Sequence, residues 1–100
     1  MRALHHPDKT DLHLASVLFA LSDPTRLHIV KTLAESGGEL TCAAVQAPLS
    51  KSACSRHWKV LREAGLVQMR PHGTAFLNSL RRRELNARFP GLLAAVLRAL

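Results

Sequence analysis

Cationic and hydrogen-bond-donating side chains are concentrated on one predicted helix between Ser50 and Gly65. Ser50 is a good N-cap because its hydroxyl can accept a hydrogen bond from a free amide of the first turn, and Gly65 suits the left-handed residue that ends a helix. Cys54, Trp58 and Leu61 are spaced i, i+4 and i+7, which places them on one stripe that faces a core. The other faces carry Lys51, Ser52, Ser55, Arg56, His57, Lys59 and Arg62. This basic face, on a rod about 20 Å long, predicts an anionic partner and has the dimensions of a DNA major groove.

The excess positive charge lies in one third of the chain. The formal net charge is +7. Residues 50–83 hold eight of the 14 Lys and Arg residues and one of the seven acidic residues, Glu63, so the rest of the chain is neutral on balance. Because mixed charges would serve solubility equally well, this concentration favours a surface that binds a polyanion.

The composition predicts one globular domain. One hundred residues, 47% of them hydrophobic, can bury a modest core. The sequence has no apolar run long enough to cross a membrane and no basic start followed by an apolar run and a cleavage site, so we expect a cytoplasmic protein. Two cysteines are too few for a disulfide scaffold, which agrees with a reducing compartment.

The N-terminal part predicts a flexible arm and two helices. Residues 1–10 are polar without periodicity and are interpreted as the arm, and residues 11–100 as the folded domain. An apolar pattern predicts a first helix over residues 11–21. Asp23 can cap the second helix, Pro24 fits its first position, and the helix runs to about Glu35 before Gly37 and Gly38 break it.

Imidazole and carboxylate groups near the arm could in principle bind a divalent metal ion. They belong to His5, His6, Asp8, Asp11 and His13. Because unpatterned histidines in a chain terminus are usually solvated, we predict no metal site here.

The middle of the chain predicts a helix-turn-helix followed by a hairpin. Glu39 and Leu40 are consistent with a short strand, and Thr41 can cap a brief helix over residues 42–47 that Pro48 closes. The basic helix follows at once, which is the order of a helix-turn-helix. Residues 66–70 and 75–80 have strand-like composition around a turn at 71–74, so we expect a hairpin with a basic tip, suited to phosphate or minor-groove contact.

The end of the chain predicts a surface for self-association. Residues 81–88 have a helical pattern, and Pro90 predicts a kink or a second helix start. Residues 92–100 are apolar nearly all round, and so small a domain cannot cover every side of such a helix. The exposed remainder predicts an interface, most economically that of a symmetric homodimer.

Two stretches and the hairpin tip carry a family resemblance. Leu-Ser-Asp-Pro-Thr-Arg-Leu at 21–27, Ser-Lys-Ser-Ala-Cys-Ser-Arg-His-Trp-Lys-Val-Leu-Arg-Glu-Ala-Gly-Leu-Val at 50–67, and Gly73-Thr74 are similar to the ArsR/SmtB-type (arsenic-repressor-like) bacterial transcription regulators. The resemblance covers about residues 12–80. It implies a mainly α fold with a small β-hairpin, a winged helix-turn-helix of about five helices. It also implies a homodimeric repressor that binds a near-palindromic operator and releases it when an effector binds.

The resemblance also implies dimerisation through the first and last helices. The predicted interface residues are Leu12, Leu14, Val17, Leu18, Leu21, Leu92, Leu93, Val96, Leu97 and Leu100. Metal-sensing relatives often carry a Cys-x-Cys pair in the first helix of the DNA motif, where this chain has Cys42 without a pair. Other relatives place Asp and His ligands on the last helix, where this chain has neither. We therefore predict no metal site and no cofactor.

The DNA-reading hypothesis assigns most contacts to the basic helix and the rest to the hairpin. Arg56 could bond guanine bidentately, the serines could meet base edges or phosphate, and Ala53 could touch a thymine methyl group. Lys59, Arg62 and Arg70 are better suited to phosphate, although Arg62 could instead pair with Glu63. The predicted DNA-binding residues are Lys51, Ser52, Ala53, Ser55, Arg56, His57, Lys59, Arg62, Arg70, His72 and Gly73.

Two further hypotheses remain open. Cys42 and Cys54 lie on consecutive helices of the motif, so a thiol-redox switch is an alternative sensing mode, although buried thiols are usually inert and Cys54 fits a core role. A winged-helix module that binds RNA or an acidic protein is the alternative function. An enzyme is disfavoured because the sequence has no glycine-rich phosphate loop, no Ser/His/Asp arrangement and no paired carboxylates.

Overall fold

The computed structural model describes residues 4–45 and 50–100. Within these ranges it contains a 3-10 turn, six α-helices and one antiparallel β-hairpin, in the order of a winged helix-turn-helix. After the 3-10 turn Lys9–Asp11, the elements are α1 (Leu14–Ala20), α2 (Pro24–Ser36), α3 (Cys42–Val45), α4 (Lys51–Glu63), β1 (Val67–His72), β2 (Ala75–Leu80), α5 (Arg82–Arg88) and α6 (Leu92–Ala99). The fold class predicted from the sequence is confirmed, with six α-helices where about five were expected.

Local capping explains the bounds of the two central helices. The Asp23 carboxylate accepts hydrogen bonds from the amides of Thr25 (2.9 Å) and Arg26 (3.1 Å), so α2 starts where the sequence predicts. In α4 the Ser50 hydroxyl accepts from the amide of Ala53 at 3.3 Å. Gly65 follows α4 with a φ of 88°, and a Cβ atom there would overlap the Leu12 side chain. The predicted start of α4 at Ser50 and its predicted end at Gly65 are both confirmed.

The hairpin is tighter than predicted. β1 and β2 pair from Val67 opposite Leu80 to His72 opposite Ala75, which leaves a two-residue turn rather than a four-residue one. A two-residue hairpin turn favours a positive φ, which Gly73 supplies at 63°. The predicted short strand before α3 is an isolated bridge between Leu40 and Asn78.

The first helix is shorter than predicted, because the start of the 11–21 stretch packs into the core without being helical. Leu12 precedes α1 and is buried with Val17, Leu33 and Leu61 in a single cluster. The helix starts only at Leu14. The predicted helix over 42–47 is described to Val45, and its last residues and Pro48 lie outside the described residues.

Part of the segment predicted to be a flexible arm contacts the domain, and its flexibility stays a prediction. The amide of Met69 donates a hydrogen bond to Nε2 of His6 at 3.0 Å, and Nη1 of Arg81 donates to the carbonyl of Pro7 at 2.8 Å. The edge of β1 therefore has a partner in the N-terminal segment, which an exposed strand edge otherwise lacks.

The C-terminal segment forms two helices, as Pro90 predicts. α5 ends at Arg88, and α6 starts after Gly91, whose φ is 84°. Leu93 is buried, and Leu92, Val96 and Leu97 are half-buried against the core. Among the residues described, no helix has the length and apolar character needed to cross a membrane.

Candidate nucleic-acid interface

The outer face of α4 carries the predicted DNA-reading side chains. Trp58 and Leu61 are buried, and Cys54 packs against the same cluster, so the helix is anchored by the predicted stripe. On the opposite side, four of the predicted contacts are exposed to solvent: Ser52, Ser55, Arg56 and Lys59. Ala53 is half-buried beside them, and the side chain of Lys51 lies outside the described set. The exposed part of α4 is therefore cationic and rich in hydrogen-bond donors.

His57 faces inward, which corrects its assignment to the outer face. Its side chain is 18% exposed, and its Nδ1 lies 3.0 Å from Nη1 of Arg26 and 3.8 Å from the Asp23 carboxylate. Arginine can only donate, so Nδ1 accepts, and the proton of the neutral ring is on Nε2. The correction has a simple cause: His57 lies beside the N-terminus of α2, on a side of α4 that packing covers.

Arg26 is a buried residue at the base of α4 whose contacts sequence reasoning missed. Its side chain is 8% exposed, its Nε donates to the carbonyl of Ala20 at 2.7 Å, and its Nη2 donates to the carbonyl of Phe19 at 3.2 Å. With the contact to His57, one guanidinium joins the end of α1, the start of α2 and α4. The sequence does contain a signal for the burial of Arg26, because it shares the helical stripe of Ile29, Val30 and Leu33.

The Asp23 cap is electrostatically favoured at the same junction. Its pKa is lowered, chiefly by the hydrogen bond from the amide of Arg26, with further lowering from His57 and from the amide of Thr25. The charged carboxylate therefore sits at the positive end of α2 and next to the Arg26–His57 pair. This junction fixes the position of α4 on the domain from one side.

The other residues predicted to contact DNA differ in their exposure and in their hydrogen-bond partners. Arg70 is exposed and donates through Nε and Nη2 to both carboxylate oxygens of Glu39, at 2.7 and 2.9 Å. The hydrogen bonds from Arg70 lower the pKa of Glu39. Arg62 is half-buried, and its Nε is shielded from solvent without a hydrogen-bond partner in the described part of the chain. At the tip of the hairpin, His72 and Gly73 are exposed.

The two cysteines line one cavity and are not joined by a disulfide. Nδ2 of Asn78, which is fully buried, donates to Sγ of Cys42 at 3.5 Å and to the carbonyl of Leu40 at 3.0 Å. Burial raises the pKa of the Cys42 thiol, so the protonated form is favoured near neutral pH. As predicted from their place on consecutive helices, both cysteines lie in one region, the lining of this cavity. A redox role stays a prediction.

The apolar residues assigned to a dimer interface differ in their exposure to solvent. Leu12, Val17, Leu21 and Leu93 are buried inside the domain and offer almost no surface to a second chain, which corrects their assignment. Leu92, Val96 and Leu97 are half-buried. The exposed members are Leu14 (47%), Leu18 (48%) and Leu100 (43%), and the exposed Phe19 (63%) was not predicted. The apolar surface thus lies on α1 and at the end of α6.

The candidate metal ligands near the N-terminus do not converge. His6 uses both ring nitrogens, Nδ1 on the carbonyl of Leu4 at 3.1 Å and Nε2 on the amide of Met69. Within residues 4–45 and 50–100, no three or more His, Cys, Asp or Glu side chains are grouped to hold a metal ion. His6 therefore has a structural role at the edge of β1.

Comparisons with known proteins agree with this geometry. A helix-turn-helix domain family model matches residues 21–70. An uncharacterized HTH-type transcriptional regulator of Bacillus subtilis (strain 168), YceK, is 41% identical over 81 residues, which span 79% of this chain and 81% of the relative.

Two solved structures share the fold. The transcriptional repressor BigR from Xylella fastidiosa is 28% identical with a TM-score of 0.65, covering 87% of this chain and 85% of BigR. An ArsR-like transcriptional regulator from Rhodococcus sp. RHA1 is 31% identical with a TM-score of 0.63, covering 86% of this chain and 76% of that one. These relatives are named as regulators, in agreement with the prediction that the chain is not an enzyme. The chain belongs to the ArsR-type winged helix-turn-helix transcriptional regulators, a family that binds double-stranded DNA.

Proposed function

We propose that this regulator is a homodimeric repressor that reads a near-palindromic operator with α4 and releases it when an effector binds. The observation that carries the proposal is the row of Ser52, Ser55, Arg56 and Lys59, which are exposed to solvent on α4 while Trp58 and Leu61 are buried. A helix with this face can enter a major groove, where Arg56 reads base edges and Lys59 contacts phosphate.

The hairpin supplies a second contact beside α4. His72 and Gly73 at its tip are exposed and free of packing constraints, so the tip can approach the backbone of the duplex. Arg70 reaches phosphate by exchanging the Glu39 carboxylate for a phosphate oxygen. Since both partners of that ion pair are exposed, the exchange costs little.

Dimerisation supports the symmetry of the proposed operator. Leu14, Leu18 and Phe19 on α1 are exposed, and Val17 on the same helix lines a small apolar gap with Leu92 on α6. The two helices are thus neighbours, and together they form an apolar surface that a second copy can cover. A twofold dimer places two copies of α4 on successive half-sites.

The test is selection of preferred sequences from a random duplex pool at moderate salt. We expect an inverted repeat, and a binding constant whose logarithm falls with the logarithm of salt concentration because phosphate contacts release counterions. Recovery of no preferred duplex, with salt-dependent binding to RNA or to an acidic protein, would favour the alternative winged-helix interaction module.

Matched variants locate the contact surface. Arg56→Ala should weaken binding to the selected duplex by roughly 10- to 100-fold and relax the preference at one position of each half-site. Lys31→Ala removes an equal charge from the exposed side of α2, outside residues 50–83, and serves as the control. Equal losses in both variants would mean that net charge, and not the face of α4, determines affinity.

A separate pair of variants tests the dimer. Leu18→Glu places a charge in the exposed apolar surface of α1 and should shift the protein from dimer to monomer in sedimentation equilibrium. Gln68→Glu adds the same charge on the exposed side of β1 and should leave the mass unchanged. A Leu18→Glu protein that stays dimeric would place the interface elsewhere.

A further inference from the structure

A cavity of about 410 Å³ lies between α4 and the hairpin. Trp58, Met69 and Phe76 form apolar walls, and Leu4 of the docked N-terminal segment contributes to the lining. Pockets of several hundred cubic ångströms lined by apolar and aromatic groups are the usual sites of small ligands. This cavity lies behind the proposed DNA-reading face and shares residues with it.

The charged lining of the cavity is cationic, and the neutral Ser55 also lines it. Lys59 and Arg62, one turn apart on α4, both line it, and no acidic side chain is among its described lining residues. Arg62 is half-buried, so part of its side chain is accessible from the cavity. An anionic oxygen is the acceptor that bonds a guanidinium best.

We propose that this cavity binds a small aromatic carboxylate, which is the effector that releases the regulator from DNA. The ring packs against the half-buried Phe76, and the largely buried Trp58 and Met69 contribute the small part of their surface that lines the cavity. The carboxylate accepts from Arg62 and pairs with Lys59. The effector role rests on the proposed DNA-binding function, whereas the binding site does not.

The same residues explain how the ligand acts. Lys59 is exposed on the face proposed for phosphate contact and also lines the cavity. A ligand carboxylate and a DNA phosphate therefore compete for the same ammonium group. A ligand wedged between α4 and the hairpin also changes the spacing of the two elements that contact the duplex. Thermodynamic linkage requires that DNA weaken the ligand by the same factor by which the ligand weakens DNA.

The cavity walls favour reversible binding of an anion over thiol chemistry. Cys42 and Cys54 contribute sulfur to the lining. Because burial raises the pKa of Cys42, its thiol is protonated near neutral pH and adds no competing negative charge. The recognition groups that remain are the apolar surface, Ser55 and the two cations Lys59 and Arg62.

Trp58 is the single tryptophan of the chain, so its fluorescence reports on the cavity directly. The probe is 3-phenylpropanoate, and its neutral amide, 3-phenylpropanamide, is the matched control for the charge. We expect the carboxylate to change the Trp58 emission with a Kd of roughly 0.1–1 mM, the range for a ligand of this size. The amide should bind at least tenfold more weakly. Equal affinity of acid and amide would overturn the proposal.

Variants test the cationic side of the cavity. Arg62→Met keeps the length of the side chain and should weaken the carboxylate about tenfold without changing the amide. Arg83→Met, on the exposed side of α5, should change neither. If Arg62→Met fails to fold by circular dichroism, Lys59→Met provides the same comparison. Identical carboxylate affinity in the cavity variant and in Arg83→Met would contradict the assignment.

The effector role is measured on the selected operator duplex at matched ionic strength. Saturating 3-phenylpropanoate should lower the affinity for the duplex at least threefold, and the amide should have no effect. An unchanged affinity would refute the effector role. A protein that binds the carboxylate but no duplex would refute the proposed regulatory function and leave the carboxylate site standing, so the two failures are distinguishable.

Discussion

Replacement of Arg26 tests the junction that positions α4. The guanidinium makes three hydrogen bonds, to the carbonyls of Ala20 and Phe19 and to Nδ1 of His57, at 2.7, 3.2 and 3.0 Å. Its carbon atom also lies 5.3 Å from the centroid of the Phe19 ring. Because the side chain is 8% exposed, water cannot replace these partners in full.

The expected loss follows from these contacts. A hydrogen bond with a charged partner contributes about 1.5–3 kcal/mol, but bonds that share one side chain do not add. We therefore expect Arg26→Ala to lower the free energy of unfolding by about 3 kcal/mol, a large fraction of the stability of a small domain. Arg26→Lys keeps the charge but loses the planar fork, and should cost about 2 kcal/mol.

Urea unfolding followed by circular dichroism at fixed protein concentration measures the loss. Arg83→Ala, which removes an exposed arginine from α5, is the control and should change stability by less than about 0.5 kcal/mol. If Arg26→Ala loses no more than Arg83→Ala, the buried guanidinium does not hold α4, and the interpretation of this junction is wrong.

Three further predictions concern the cap, the N-terminal segment and the end of α4. Asp23→Ala should cost about 1 kcal/mol at pH 7 in urea unfolding. Because the pKa of Asp23 is lowered, this difference should shrink in acid as the wild-type carboxylate takes up a proton. Burial lowers the pKa of His6 below its ordinary 6.5, so the unfolded chain binds the proton first, and stability falls as the pH drops below about 6.5. His6→Gln should make that part of the stability–pH curve flatter. Gly65→Ala should lower the midpoint of thermal unfolding, with a loss above about 1 kcal/mol, because its φ of 88° and the contact with Leu12 both disfavour a side chain.

Features encoded by neighbouring residues could be predicted from the sequence. The start of α2 at Asp23 and Pro24, the cap of α4 at Ser50 and its end at Gly65 depend on side chains that bond to amides within one turn. The buried stripe of α4 follows from helical spacing alone. Local chemistry determines these features, so one sequence is enough to find them.

Features that depend on distant packing could not be predicted. His57 and Arg26 are 31 positions apart, and no local pattern indicates that the imidazole turns toward α2. In the 11–21 stretch nearly every side is apolar, so the pattern does not tell which of Leu12 and Leu14 is buried. The docking of residues 4–10 depends on a carbonyl and an imidazole that meet Arg81 and β1 only after folding.

α4 is held by the Arg26–His57 contact on one side and borders the cavity on the other. This arrangement explains how the proposed effector could change the position of α4. On one side the buried guanidinium of Arg26 bonds the ring of His57 and is inflexible because its other donors are used on backbone carbonyls. On the other side α4 borders an open cavity that Arg62 and Lys59 line. In the proposed mechanism, a ligand in the cavity changes the angle of α4 to the hairpin, because the Arg26 junction holds the other side of α4. In the proposed complex both elements contact one duplex, so a change in that angle lowers the affinity.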